Sequence, residues 1–296
     1  MRDEGTTILL LGQGPRAAYA RALLQQGVAG AAIEETWPAP ETLARYSAAP
    51  PVFLVLVDPQ PFAAPAADAA ATPDMLNADL LRAEALRAVF ALELARRAGT
   101  TLVLDGDIAG WPAALAATMQ ALAGSAPADQ RPMPAPPPPL AMGGDLAASA
   151  GPLLDLYLGP LWRAAAAGHA PPLAWPREAF LDGDAPGAPL PAVIEVAGRA
   201  RIVAYGPYLP LPAGAWSATA WLGFSPDIGR LPFILEIDSG AEISRGFFEV
   251  ERGGFFSLGL DFQVADPLHP LEVRLISQDS ALEGQAALIE VRLDPA

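Results

Sequence analysis

The sequence predicts a chain of two parts, a three-layer α/β domain with a mostly parallel sheet followed by an all-β jelly-roll sandwich. Three observations carry this. Over residues 1–125, apolar β runs alternate with helical patterns, the arrangement of an open parallel sheet. At 125–140 the chain reads SAPADQRPMPAPPPPL, a composition that favours an extended, semi-rigid spacer. From Ala192 short β runs follow one another with turn residues and no helix between them. The expected domains are 1–125, a linker and connector at 126–190, and a sandwich at 191–296.

Taken in order, Thr7–Leu11 is an apolar strand closed by Gly12-Gln13-Gly14. Pro15 suits a first helical position, where a missing N–H costs nothing, and Pro15–Gln26 reads as a helix stopped by Gly27. Pro51–Val57 shows no polar alternation, so it should be a strand buried on both faces. Asp74–Arg97 spaces Leu76, Leu80, Leu86, Phe90 and Leu94 at a helical period and is the longest helix expected. Thr100–Leu104 is a third strand and Trp111–Leu122 a further helix. Glu34 and Glu35 follow no convincing strand. Leu153–Ala167 reads as helical turns on either side of Gly159-Pro160, and 168–191 as irregular. Trp175-Pro176-Arg177 is expected to pack the edge of the sandwich.

The β runs of the last part are Val193–Val196, Arg201–Tyr205, Trp216–Phe224, Phe233–Ile237, Arg245–Val250, Phe255–Val264, Leu271–Ser277 and Ala286–Leu293. Leu211-Pro212-Ala213-Gly214 and Arg252-Gly253-Gly254 supply turn chemistry. Polar and apolar residues alternate in Phe233–Ile237 and Leu271–Leu275, as in strands with one face in the core and one in water.

Composition narrows the chemistry. The chain has 296 residues, 52% hydrophobic and 17% charged, enough to bury a core. It carries a formal charge of −15, and all 18 of its basic residues are arginine. Without lysine there is no Schiff base and no phosphate-holding ammonium; an acidic chain is also a poor nucleic-acid ligand. The absence of cysteine removes thiolate nucleophiles and cysteine metal sites. His169 and His269 are too few for a histidine-built metal centre. No Gly-x-Ser-x-Gly elbow occurs, and Ser125 and Ser149 lie in alanine-rich context. Asp3 and Glu4 precede the first apolar run, and no stretch is long enough to cross a bilayer. The expectation is a soluble cytoplasmic protein without a membrane span, with self-association left open.

Gly12-Gln13-Gly14 lies between a strand and a helix, where phosphate-cradling loops sit. The order of segments over the first 125 residues resembles the sulfotransferase family: Ile8–Leu24 as strand, loop and helix, Val52–Pro59 as a strand ending in Asp-Pro, and Leu102–Leu122 as strand, acidic turn and helix. The resemblance implies a nucleotide of the adenosine 3′-phosphate type held around Gly12, Gly14 and Arg16. The departures are substantial. The lysine and hydroxyl of such a loop are missing, and the position of an arginine before Asp-Pro is Val57. The first domain is therefore expected to keep a fold without its chemistry, with no catalytic residue and no cofactor.

Tyr205–Ala220 places a tyrosine-bearing strand, a Pro-Ala-Gly turn and a tryptophan-bearing strand in succession. Residues 190–296 are similar to carbohydrate-binding modules of the galactose-binding jelly-roll type, which implies a saccharide or a protein partner. Sugars are recognised by aromatic faces under the ring C–H groups and by charged groups on the hydroxyls. Candidate platforms are Tyr205, Tyr208, Trp216 and Trp221; candidate polar partners are Asp227, Arg230, Asp238 and Arg245. Trp216 and Trp221 are five apart, so strict alternation puts them on opposite faces, and core packing is the competing reading of each. Asp105-Gly106-Asp107 and Asp182-Gly183-Asp184 read as turns, with a cation held by the paired carboxylates as the alternative for the first and calcium as the alternative for the second. The function expected is a non-catalytic glycan-associated or polysaccharide-assembly protein. An active sulfuryl or glycosyl transferase, or an assembly protein with no small ligand, are the alternatives.

Overall fold

Residues 7–12, 14–27, 32–49, 53–57, 73–104, 108–123 and 153–296 are described by the structure, a computed structural model. The proline-rich spacer, Asp58-Pro59, Asp105-Gly106-Asp107, Ser125 and Ser149 lie outside the described residues. Contacts divide the chain into two units, Met1–Ala148 with Trp162–His169 and Ser149–Leu161 with Ala170–Ala296.

In the first unit, β1 (Thr7–Leu11), β2 (Ala32–Glu35), β3 (Phe53–Val57) and β4 (Thr100–Leu104) form a parallel sheet in the order β2-β1-β3-β4. Among the described residues, α1 (Gly14–Gly27), α2 (Pro40–Ala48), α3 (Pro73–Ala95) and α4 (Trp111–Ala123) accompany it. Ile8, Leu10, Phe53 and Val55 face one side, against Tyr19, Leu23 and Leu24 of α1 and Trp111 and Leu115 of α4. Leu9, Leu11, Leu54 and Leu56 are equally buried and by alternation face the other side, where α3 packs on β3 and α2 on α3. Burial from both sides explains why β3 carries no polar residue.

Two elements of this unit depart from the sequence reading. Glu34 and Glu35 lie in β2, an edge strand of four residues whose composition is too polar to announce it. Their side chains leave opposite faces: Glu35 pairs with Arg21 of α1 and Glu34 with Arg45 of α2. Helix α2 was not anticipated either. It starts with Pro40 at its first position and buries only Leu43 and Tyr46.

The second unit holds two antiparallel sheets. One runs β11-β10-β13-β8-β6, the other β12-β9-β14-β5 with β7 pairing the start of β14. The strands are β5 (Leu173–Pro176), β6 (Leu181–Asp182), β7 (Ile194–Glu195), β8 (Arg201–Pro210), β9 (Gly214–Phe224), β10 (Leu231–Asp238), β11 (Ile243–Val250), β12 (Gly254–Val264), β13 (Pro270–Ser277) and β14 (Gln285–Pro295). Every long β run expected after Ala192 is present, extended by a few residues. The core lies between the sheets, where Phe224 of β9 meets Phe233 of β10 with ring centroids 5.2 Å apart.

The sandwich starts earlier than position 191. Trp175 of β5 is fully buried and pairs with Val291 of β14, as its expected edge-packing role requires. Tyr157, also fully buried, donates its hydroxyl hydrogen to the Pro210 carbonyl. β5 and β6 read as irregular because they are four and two residues long and flanked by Pro and Gly. A π-helical turn, Leu154–Leu158, runs directly into α5 (Gly159–Ala167), so Gly159-Pro160 does not separate two helical pieces. Pro160, which has no N–H to give, follows directly on the π-helical turn, where the helical hydrogen-bond period changes.

Candidate functional site

The outer face of the five-stranded sheet β11-β10-β13-β8-β6 gathers the densest set of chemically useful side chains. Alternation along β10 sends Leu231, Phe233, Leu235 and Ile237 into the core and Glu236 and Asp238 outward. In β13, Val273 and Leu275 go in, and Glu272 and Arg274 go out. Register then sets Arg245, Glu236, Arg274 and Tyr205 side by side on four adjacent strands.

The charges on this face are bonded to one another. Glu236 Oε1 accepts from Arg274 Nη1 at 2.6 Å and Oε2 from Arg245 Nε at 2.6 Å. Arg274 also pairs with Glu272, and with Asp238 at 3.6 Å. Burial works to raise the Glu236 carboxyl, but its hydrogen bonds to Arg245 and Arg274 outweigh that and hold it below the usual range. It is an ionised acceptor at neutral pH, with no proton to give. The bond to Glu272 raises the already high affinity of Arg274 for its proton.

Tyr205 and Tyr208 are three residues apart, so unbroken alternation would place them on opposite faces. They meet because β8 bulges. Leu209 pairs with Leu271 and Pro207 with Glu272, which leaves Tyr208 as the extra residue. Its φ is +61°, the left-handed region that non-glycine residues rarely enter. The bulge turns Tyr208 so that its hydroxyl donates to Glu272 Oε1 at 2.8 Å. Its ring lies edge-on to Tyr205 at 6.2 Å and 72°. Burial, then the Glu272 contact, push the Tyr208 phenol up to about 12. The Tyr205 hydroxyl oxygen accepts the Gly187 N–H at 3.1 Å, which ties the loop before β7 to this face.

Four of the eight expected ligand residues thus come together: Tyr205, Tyr208, Asp238 and Arg245. Glu236, Glu272 and Arg274 join them and were missed as site residues, although the alternation around them marked them as outward-facing. The other four lie elsewhere. Trp216 is buried to 1% exposure and donates Nε1–H to the Pro212 carbonyl at 2.9 Å, so it is a core residue and not a platform. Trp221 faces outward on the opposite sheet, with the Arg292 guanidinium 5.6 Å from its ring. Asp227 and Arg230 occupy the exposed β9–β10 connection, where Arg230 lies 3.9 Å from Glu249 and from Glu251. Six residues of extended strand, roughly 20 Å, separate Arg230 from Glu236.

The remaining expectations resolve locally. Gly12 is required by packing, since a Cβ there would stand 2.7 Å from Val57 Cβ. Gly14 opens α1, and Arg16 is buried with its guanidinium 5.0 Å over the Trp111 ring. Asp182 Oδ1 accepts the Asp184 N–H, and Asp184 forms a two-point pair with Arg201. That segment is a turn braced by these contacts. His169 and His269 are exposed, His269 within the turn closed by its N–H to the Asp266 carbonyl. Among the described residues no group of three or more His, Asp and Glu side chains is placed to hold a metal ion. None of the described helices is long and apolar enough to cross a membrane.

No family model and no curated protein matches the chain. Among solved structures, TmCBM61 in complex with β-1,4-galactotriose is similar at 10% identity, covering 43% of this chain and 89% of its own, with a TM-score of 0.27. A cleaved adhesin domain of Lys-gingipain from Porphyromonas gingivalis is similar at 14% identity over 43% and 99%, TM-score 0.30. The EclA C-terminal domain, a sugar-binding protein, follows at 20% identity over 34% and 76%, TM-score 0.28. Likenesses of this size fix neither a ligand nor a site.

Proposed function

We propose that the outer face of the five-stranded sheet binds a saccharide and that the chain is a non-catalytic, glycan-associated protein. One observation supports this above others: Tyr205 and Tyr208 stand beside a row of three carboxylates and two guanidinium groups on a single sheet face. A pyranose presents C–H groups on its ring faces and hydroxyls that both donate and accept around its rim. Tyrosine rings suit the first. Adjacent carboxylate acceptors and guanidinium donors suit the second. The row is tied together before ligand arrives, so little side-chain freedom is lost on binding.

Three carboxylates against two guanidinium groups leave this face slightly negative, which favours neutral sugars over uronic acids or sulfated glycans. On this reading the first unit is an accessory scaffold. Its resemblance to sulfotransferases rests on segment order, and Gly12 packed on Val57 speaks for a structural turn.

Calorimetric titration of the full chain with neutral gluco-, galacto- and xylo-oligosaccharides, and with an oligouronide, tests the proposal. Binding of a neutral series, weakened roughly tenfold by Tyr205→Ala through loss of the ring contact, is expected. Absence of heat with every neutral sugar at millimolar concentration, or binding untouched by Tyr205→Ala and Arg245→Ala, rejects it.

A further inference from the structure

The two sheets of the sandwich have four terminal strands, and three of them are guarded. β6 is two residues long, and β5 is four residues long and ends in Pro176. β11 carries the exposed charges Arg245 and Glu249. Short length, proline and charge are the means by which sheet edges avoid pairing with other chains. β12 is the least guarded of the four. It pairs with β9 over all eleven residues, Gly254 to Val264, without a register shift. It contains no proline, and Asp261 is its sole charge. No strand among the described residues pairs with its other side.

We propose that β12 is a self-association edge, pairing antiparallel with β12 of a second copy of this chain across a two-fold axis at Gly259. The sequence of the strand selects both the occupant and the register. With the axis at Gly259, all eleven residues overlap, from Gly254 opposite Val264 inward. Ser257 falls opposite Asp261 of the other copy, twice, and each hydroxyl donates to a carboxylate. On the inner face Leu258 meets Leu260 and Phe256 meets Phe262. Leu258, Leu260 and Phe256 are only half-buried in one copy, so they have surface left to cover. Moving the axis to Asp261 would set the two Asp261 carboxylates against each other, which disfavours it. Moving it to Leu258 places Phe255 opposite Asp261 and leaves Ser257 facing Gly259. A half-step of register would turn core-facing residues outward and is excluded. The pairing is isologous, so it closes at two copies and does not propagate.

Gly259 is also the place to test it. A Cβ there would meet only the Ala218 carbonyl oxygen at 4.0 Å, so substitution leaves the fold undisturbed. The full chain should scatter light at twice the chain mass in the micromolar range. Gly259→Lys sets two ammonium groups together at the axis and should weaken self-association at least about fivefold; Ser257→Lys, facing Asp261, should strengthen it. Because the chain has no cysteine, Gly259→Cys is a clean cross-link probe. Opposed residues of an antiparallel pair have Cα atoms about 4.5–5.5 Å apart, within disulfide range. Oxidation should therefore yield a covalent dimer, while Leu282→Cys, at a fully exposed position, should not. A chain that stays at single mass throughout, a Gly259→Lys variant that associates like the parent, or equal cross-linking at Gly259 and Leu282 overturns the proposal.

Discussion

Replacing Arg274 with methionine removes the guanidinium that holds three carboxylates in place. Arg274 contacts Glu236 at 2.6 Å, Asp238 at 3.6 Å and also Glu272. The Glu236 side chain is only 6% exposed, so it cannot recover its hydration without moving. Taking one partner from a buried pair costs about 3–5 kcal/mol. Here the loss should be smaller. Arg245 still binds the other Glu236 oxygen and Tyr208 still binds Glu272, and a quarter of the Arg274 side chain already faces water. About 2 kcal/mol is expected. The pH dependence gives the sign. Arg274 helps to hold the folded-state pKa of Glu236 below its unfolded value, so its contribution is present above the unfolded pKa and lost as pH falls through the folded one. The penalty should therefore be full at neutral pH and should shrink below about pH 4. Urea unfolding of the full chain, read by pulse-labelled hydrogen exchange in peptides covering Leu231–Asp238 and Pro270–Ser277, isolates these two strands. A loss under about 0.5 kcal/mol, the range of ordinary surface substitutions, or a loss that does not change with pH, would refute the reasoning.

Trp216→Ala should destabilise the sandwich by about 3–5 kcal/mol, because it empties a buried site and orphans the Pro212 carbonyl. Trp221→Ala, on an outer face, should cost no more than about 1 kcal/mol in the same unfolding assay; equal costs would contradict their assignment to opposite faces. The Tyr208 phenol should ionise near 12, seen as the difference in phenolate absorbance between the parent and Tyr208→Phe. Since its folded value lies above the free value of about 10, Tyr208 stabilises the fold below that pH, and the contribution fades as pH rises toward 12. A Tyr208 that titrates like a free phenol removes the Glu272 contact from the site.

How much of this was legible depended on how local each signal was. β1 and β4 matched the expected limits residue for residue, because a short run of β-branched and apolar residues bounded by turns has few other fates. The sandwich strands were legible for the same reason, through alternation and the turns between them. β2, β5 and β6 were not. Each is short and takes its strand character from a neighbour: β2 from β1, β5 from β14, β6 from β8. Tertiary pairing supplies what their own sequences lack.

The candidate site shows the same limit in sharper form. Tyr205 and Tyr208 were picked out as aromatic residues on one strand, yet their odd spacing argues against a shared face. They share it because of one inserted residue in the pairing of β8 with β13, and no property of the β8 sequence alone reveals which residue is extra. The charged row poses the complementary problem. Arg245, Glu236 and Arg274 lie on three separate strands, and the bonds among them exist only once register is known. Alternation shows that Glu236, Glu272 and Arg274 face outward, but it cannot show that they face one another. A sheet-borne site therefore divides into what period two can announce, namely which side chains reach water, and what only pairing can decide, namely which of them meet. The ligand-binding reading rests on the second of these, and Arg274, which bonds to both Glu236 and Glu272, is where the two meet.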